Sequence, residues 1–295
     1  MICIDWGTSS FRAFRLDATG GVAEQRAAAR GILGVPEDGF PAALTELVGD
    51  WIEAGEGRLL LSGMVGSRQG WREAPYVDAP AGLADLARAL LPVSAGPGHG
   101  FIVPGLIARG LTGVPEIMRG EETQIMGVVE AMAGRALACL PGSHSKWAQV
   151  VDGRIVDFTT AMTGEAFAAL QHHTILGRLM TEDSHDGAAF DEGLARSGDP
   201  GGLLHHVFGA RTRVIVGDLA GGGARSYLSG ILIGHDVRAA LDLYGRDAIV
   251  HLIGEPGLCV LYARALAACG AGSRLASADA AIKGLARIGD LAPWH

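Results

Sequence analysis

Apolar and polar positions along the chain sort into short apolar runs and longer helical repeats. Residues 1–5 are apolar up to Asp5 and predict a first strand. The alternation over 11–16 predicts a second, and the Ala18-Thr19-Gly20-Gly21 turn leads into a third at 22–27. Over 40–53, Phe40, Leu44, Leu47, Val48 and Trp51 recur at helical spacing. The run at 58–64 reads as a buried parallel strand that ends in a polar, glycine-rich loop over 66–72.

Further on, 83–91 predicts a short helix, 101–103 a strand and 105–112 a loop-rich link. Helical spacing returns over 121–132, with Ile125, Val128 and Val129 on one side. A strand at 136–140 is followed by a hairpin, 147–151 and 154–158, around Asp152-Gly153. Helices are predicted over 165–179, 188–197 and 203–208, then a long apolar pattern over 227–245 broken by Gly234. A strand at 248–253 ends in Gly254-Glu255-Pro256-Gly257 and opens a helix over 258–268, with a last helix at 278–288. Hairpins followed by strand–helix crossovers thus occur twice, the order of an α/β protein with mixed sheets. The division expected is an N-terminal lobe over 1–138, a C-terminal lobe over 139–274, and a terminal helix in 275–295 that returns to the N-terminal lobe.

Composition narrows the choice. A chain of 295 residues with 48% hydrophobic and 19% charged residues has the mass and apolar content for large cores. A net charge of -8 disfavours nucleic acid as a partner, because wrapping a duplex needs a broad basic surface. No apolar run reaches membrane-spanning length, and no basic stretch with an apolar leader opens the chain. Cys3, Cys139, Cys259 and Cys269 sit mostly in apolar runs without a C-x-x-C pair, which suits free thiols in a reducing, cytoplasmic setting. The stretches 194–207 and 227–237 either pair subunits or pack inside, so a homo-oligomer stays open.

The chemistry centres on a loop used twice. M-I-C-I-D-W-G-T-S-S-F-R and A-L-A-C-L-P-G-S-H-S-K-W each run from an apolar strand through a Gly-hydroxyl-x-Ser loop into a second strand. Gly7, Thr8 and Ser10 correspond to Gly142, Ser143 and Ser145. Glycine lets a phosphate oxygen approach the backbone, and Thr8, Ser9 and Ser10 add hydroxyl donors to an anion-binding turn. Asp5, at the edge of its strand, is placed to hold a divalent cation against the same phosphates. Leu140 stands at the equivalent point of the second loop, so the pair is asymmetric. His144 either contacts phosphate or is structural, and Lys146 either contacts phosphate or faces solvent. Neither loop is a G-x-x-x-x-G-K-[ST] or a G-x-G-x-x-G motif.

Two further segments carry candidate chemistry. Glu121 and Glu122 open a predicted helix, where carboxylates gain from the positive helix end. A carboxylate there can cap the helix or accept the proton of a hydroxyl during phosphoryl transfer. The loop Ser62-Gly63-Met64-Val65-Gly66-Ser67-Arg68-Gln69-Gly70-Trp71-Arg72 follows a buried strand, where open α/β sheets bind ligands. Arg68 and Arg72 suit a substrate carboxylate, while Ser67, Gln69 and Trp71 suit hydroxyls and a sugar face. Thr163 and Glu165 start a later helix, as a cap or as cleft lining.

Together D-W-G-T-S-S-F-R, S-G-M-V-G-S-R-Q-G-W, R-G-E-E-T-Q, P-G-S-H-S-K-W, M-T-G-E and L-S-G-I-L-I-G-H-D resemble the 2-keto-3-deoxygalactonate kinases, over nearly the whole chain. The resemblance implies two related ribonuclease H-like lobes of the actin-like (hexokinase-like) ATPase fold around a nucleotide cleft. It implies ATP and Mg2+, a small sugar-acid substrate, and phosphorylation of 2-dehydro-3-deoxygalactonate at O6. Gly7, Thr8, Ser9 and Ser10 would then contact phosphate with Gly142, Ser143, His144, Ser145 and Lys146. Gly254 and Glu255 would fall in the adenosine segment. R-G-E-E is also similar to the paired glutamates of exopolyphosphatases, which makes Glu121 the expected base and Glu122 the reserve. Rival expectations are a kinase for another sugar acid, a phosphohydrolase, and a sugar-acid sensor without turnover.

Overall fold

The strand β1 (Ile2–Trp6) is buried on both faces except at Asp5, and everything in the first unit is built around it. The coordinates, a computed structural model, describe residues 1–95, 98–111, 113–180 and 185–294. β2 (Phe11–Leu16) and β3 (Val22–Ala28) follow as antiparallel neighbours. The helix α1 (Phe40–Glu53) starts with Pro41 in its first turn, where a missing N–H costs nothing. It packs Phe40, Leu44, Val48 and Trp51 into a core with Ile2, Ile4, Trp6 and Phe11. β4 (Arg58–Ser62) then pairs parallel to β1, bringing Ser62 opposite Asp5.

Short elements come next: β5 (Tyr76–Asp78), α2 (Leu83–Arg88), β6 (Leu91–Ala95), β7 (Gly98–Ile102), β8 (Gly105–Ala108) and β9 (Glu116–Met118). α3 (Glu121–Val128) follows, ending in a 3-10 turn. The main sheet of this unit runs β3-β2-β1-β4-β7-β6, and β5-β8-β9 form a separate three-stranded sheet. The expected loop at 105–112 is therefore partly strand, and Thr112 lies outside the described residues. Strands of three or four residues are too short to show a period, so pattern alone passes over them.

A second sheet holds β10 (Arg135–Leu140), β11 (Ser145–Val151) and β12 (Arg154–Ala161). The helices α4 (Thr163–His173), α5 (Gly187–Arg196), α6 (Leu203–Ile215) and α7 (Ala224–Tyr244) follow. Then come β13 (Val250–Leu252), α8 (Pro256–Ala268), β14 (Ser273–Leu275) and α9 (Ala280–Asp290). The sheet order is β12-β11-β10-β13-β14, with β13 parallel to β10 and β14 parallel to β13. α7 runs unbroken through Gly234, where Ser197 packs so closely that a Cβ would lie 2.2 Å from its Oγ. The stretch 227–237 packs inside along α7, whereas Leu204 of α6 is exposed.

The chain forms two compact units. One comprises Met1–Arg135, Ala148–Phe158 and Ser277–His295; the other comprises Ala136–Trp147 and Thr159–Ala276. Within the first, α9 packs on α3, and Arg287 donates to the Met126 carbonyl at 3.0 Å. Cys3, Cys139, Cys259 and Cys269 are free and buried. Among the described residues no helix is long and apolar enough to cross a membrane.

Candidate active site

In the first unit three chain segments meet at the carboxyl ends of β1 and β4. β1 delivers Asp5, and the turn beyond it is closed by Gly7 N–H donating to the Ser10 carbonyl at 2.9 Å. Thr8, Ser9 and Ser10 are exposed, while Gly7 is half-buried. Asp5 is mostly covered and pairs with the Arg12 guanidinium. Beyond β4, Gly63 adopts φ +95°, and a Cβ there would lie 2.9 Å from the Trp6 carbonyl and 3.3 Å from Asp5 Oδ1. Gly120, at φ +105°, approaches so closely that its Cβ would lie 3.2 Å from Gly63 Cα. Only glycine combines that backbone angle with that contact. The two glycines thus bring the N-terminus of α3 against the strand ends that carry Asp5.

Gly120 is the residue before the paired glutamates. Glu121 is half-buried, and its Oε2 accepts the Arg119 backbone N–H at 3.0 Å. Glu122 is fully buried; its carboxylate accepts the Gly120 N–H at 2.7 Å and the Thr123 hydroxyl at 2.9 Å. Thr123 in turn accepts from Ser62 Oγ at 2.9 Å. Burial, and next the charge of Glu121, push the Glu122 carboxyl up to about 7, against the pull of its hydrogen bonds. Two adjacent carboxyls therefore sit in unlike settings, a partly accessible one and an enclosed one that protonates near neutrality.

The loop after β4 is less committed. Ser67 Oγ donates to the Met64 carbonyl at 2.7 Å within its own turn. Arg68 is 87% exposed and lies 3.6 Å from Glu73. Gln69 is exposed, Arg72 reaches the Pro92 carbonyl at 3.4 Å, and Trp71 stacks parallel to Phe40 with centroids 6.4 Å apart. The tryptophan pins the loop to the core. Arg119, quoted in its motif but given no role from sequence, is buried beside this loop. It donates to the Ala74 carbonyl at 2.8 Å and lies 4.4 Å above the Tyr76 ring.

In the second unit Gly142 is half-buried, and Ser143 and His144 are exposed. Ser145 and Lys146 are buried: Ser145 Oγ lies 2.7 Å from Tyr262 Oη, and Lys146 Nζ donates to Thr160 Oγ1 at 2.9 Å. Lys146 therefore does not face solvent. The matching serines of the two loops differ, since Ser10 is exposed where Ser145 is enclosed. α4 is tied to the loop, because Glu165 N–H donates to the Ser143 carbonyl at 3.0 Å and a Glu165 carboxylate oxygen lies 2.5 Å from His144 Nε2. Thr163 Oγ1 donates to Asp236 at 2.7 Å. Gly254 is exposed, and its Cβ would lie 3.6 Å from the Pro141 carbonyl. Glu255 caps α8, accepting Gly257 N–H at 2.8 Å and Leu258 N–H at 2.6 Å.

Beside the second loop lies a cavity of about 300 Å3, lined by Gly142, Thr163, Phe167, Arg225, Leu258 and Tyr262 among others. Sequence spacing did not point to Phe167, Arg225 or Leu258. Their signal is only that α4, α7 and α8 each turn a face inward. Among the described residues no cluster of three or more His, Cys, Asp or Glu side chains could cage a metal. Asp5, paired here with Arg12, is one strand-end carboxylate, and Mg2+ is commonly held by one or two carboxylates plus substrate phosphates and waters.

The two larger sheets each run third, second, first strand and then two parallel strands, the first adding β6 antiparallel at its edge, with a glycine-hydroxyl loop after the first strand. That repeated order is the order of the actin-like ATPase fold. The family model for 2-keto-3-deoxy-galactonokinase matches residues 5–288. A probable 2-dehydro-3-deoxygalactonokinase of Rhizobium meliloti is 36% identical over 285 residues, covering 95% of this chain and 93% of that protein. The 2-dehydro-3-deoxygalactonokinase of Escherichia coli is 32% identical over 282 residues, covering 96% and 94%. A crystal structure of a protein named as a 2-dehydro-3-deoxygalactonokinase from Sinorhizobium meliloti superposes with a TM-score of 0.89 at 36% identity, covering 97% of each chain. The chain belongs to the 2-keto-3-deoxy-galactonokinase family, ATP-dependent kinases of a keto-deoxy sugar acid.

Proposed function

We propose that the chain transfers the γ-phosphoryl group of ATP to the 6-hydroxyl of 2-dehydro-3-deoxy-D-galactonate. The observation that carries this reading is the meeting of Asp5 with the Glu121–Glu122 helix start through Gly63 and Gly120. A metal carboxylate and a proton acceptor beside one another are what phosphoryl transfer to an alcohol requires. Glu121 takes the hydroxyl proton as O6 bonds to the γ-phosphorus and the bond to the β-phosphate oxygen breaks, releasing ADP. Its partial exposure suits it to that task, whereas Glu122 is enclosed and already committed to Gly120 and Thr123. When bound, Mg2+ neutralises phosphate charge, and Asp5 would hold it.

Within the first unit Gly7, Thr8, Ser9 and Ser10 are the phosphate-contacting residues, and within the second Gly142, Ser143 and His144. Ser145 and Lys146 support that second loop from within. The cavity beside Gly142 takes the adenosine, with Gly254 at its edge and Glu255 fixing the start of α8, which supplies Leu258 and Tyr262 to the lining. Ser67, Arg68, Gln69 and Trp71 take the sugar acid, while Thr163 and Glu165 hold the second loop in place. The Arg68–Glu73 pair is long and exposed, so exchanging Glu73 for a substrate carboxylate costs little. Four free cysteines support a cytoplasmic setting.

The test is a panel of sugar acids with ATP and Mg2+, reading ADP and phosphosugar together. Equal yields with 2-dehydro-3-deoxy-D-galactonate, and little with its epimers, support the reading. Inorganic phosphate without phosphosugar overturns it in favour of a hydrolase. Glu121→Gln is expected to lower kcat by at least about 100-fold while nucleotide affinity holds. Near-normal transfer removes Glu121 from the base role.

A further inference from the structure

We infer that Asp236 is a positioning residue for the second phosphate loop, holding it from beneath through side chains of three separate elements. The inference rests on that loop's reading as an ATP-phosphate site.

Asp236 lies in the middle of α7 among Leu232, Ile233, Val237 and Ala240, all buried. An ionised carboxylate in such surroundings is expensive unless hydrogen bonds compensate it. Among the described residues no cation lies within 4.0 Å of it, so compensation comes from neutral donors. Trp147 Nε1 donates to Oδ1 at 2.8 Å, while Thr163 Oγ1 and Tyr262 Oη donate to Oδ2 at 2.7 and 2.6 Å. Because the Tyr262 hydroxyl gives its proton to Asp236, it accepts from Ser145 Oγ, 2.7 Å away. The chain Ser145→Tyr262→Asp236 thus has one direction, and the charge at its end strengthens each link.

The donors bracket the loop. Ser145 and Trp147 begin β11, directly after Gly142, Ser143 and His144. Thr163 begins α4, whose Glu165 holds the Ser143 carbonyl and lies against His144. Tyr262 belongs to α8, and with Thr163 and Gly142 it lines the adjoining cavity. A single carboxylate therefore sets the spacing between the loop's trailing strand, the helix that braces its tip and the cavity wall. A residue serving only general packing would not have its donors drawn from both sides of one exposed loop.

Asp236→Asn keeps the size but turns an amide N–H toward one of the three donors. The expected result is a KM for ATP raised at least about tenfold, with the KM for the sugar acid within about twofold. Tyr262→Phe, which cuts the chain and keeps the ring on the cavity wall, is expected to raise the ATP KM by several-fold, and an unchanged ATP KM there overturns the role even if Asp236→Asn does not fold. Val237→Ala, a cavity in the same helix, serves as the control: it is expected to lower Tm and leave the ATP KM alone. Gly142→Ala tests the underlying loop reading, since its Cβ would meet nothing within 4 Å in this structure and so spares folding. If Gly142→Ala raises the ATP KM while Asp236→Asn and Tyr262→Phe do not, the positioning role is overturned and the loop stands. If Gly142→Ala leaves the ATP KM unchanged, the loop reading falls and takes the inference with it. An equal rise in both KM values for Asp236→Asn also overturns it, as would the same KM shift in Val237→Ala.

Discussion

Glu122→Gln is expected to change how stability depends on pH, by an amount the structure sets. The Glu122 carboxyl is fully buried and is pushed up to about 7, from 4.5 in the unfolded chain. Between those values the folded protein binds more protons than the unfolded one, so the group's contribution to stability falls as pH rises through the window. From pH 5 to pH 8 a single group of this kind removes about 2.5 kcal/mol. Glutamine can occupy the same space: its carbonyl accepts the Gly120 N–H, and its amide donates to Thr123 Oγ1. Thr123 then turns its own proton to Ser62 Oγ, reversing the existing chain of hydrogen bonds. The assay is urea unfolding of both proteins at matched pH, with the difference taken at each point. Subtraction matters because burial holds the His235 and His251 imidazoles low. Their contribution runs the other way, being lost as pH falls below 6.5. The stability of the parent relative to the variant is expected to drop by about 2.5 kcal/mol between pH 5 and pH 8. A difference constant within about 0.5 kcal/mol across that range refutes the argument that burial governs this carboxyl.

Two further outcomes follow from the first unit. Gly284→Ala would place a Cβ 1.8 Å from the Thr123 carbonyl, forcing α9 off α3; a loss of about 3 kcal/mol or more should appear as a lower Tm, and an unchanged Tm would show that the helices tolerate separation. Asp5→Asn should raise the Mg2+ concentration needed for half-maximal transfer by about tenfold or more, with EDTA abolishing transfer in the parent and added Mg2+ restoring it; equal Mg2+ dependence in the two proteins removes Asp5 as the metal carboxylate.

Much of the scaffold was legible because its signals are local. Asp5 and Gly7 could be read off a strand that stops at a glycine, and α1 off a five-residue apolar stripe. What was not legible depends on which face a residue presents after folding. Ser145 matches the exposed Ser10, and by sequence Lys146 stays open between phosphate and solvent, yet β11 is buried on both faces at its start and takes both inside. Glu255 precedes Pro256 and Gly257, a local helix-start signal that here holds the carboxylate on its own helix. The sheet of β5, β8 and β9 escaped because its strands are too short to show a period. Resemblance ranks Glu121 ahead of Glu122, but no local signal tells that Glu121 stays partly accessible and Glu122 is enclosed.

The same reasoning explains why the doubled loop did not remain symmetric. Each loop has a carboxylate near it, one on the strand itself and one beneath. In the first unit it is Asp5, mostly covered, at the strand's own edge and beside the N-terminus of α3. In the second unit the corresponding position is Leu140, which is buried. The carboxylate there is Asp236, supplied by α7 and turned away from the loop's exposed tip onto Trp147, Thr163 and Tyr262. A carboxylate at the edge can hold a cation but repels bare phosphate; one buried behind hydrogen-bond donors fixes the loop without presenting its charge to the ligand.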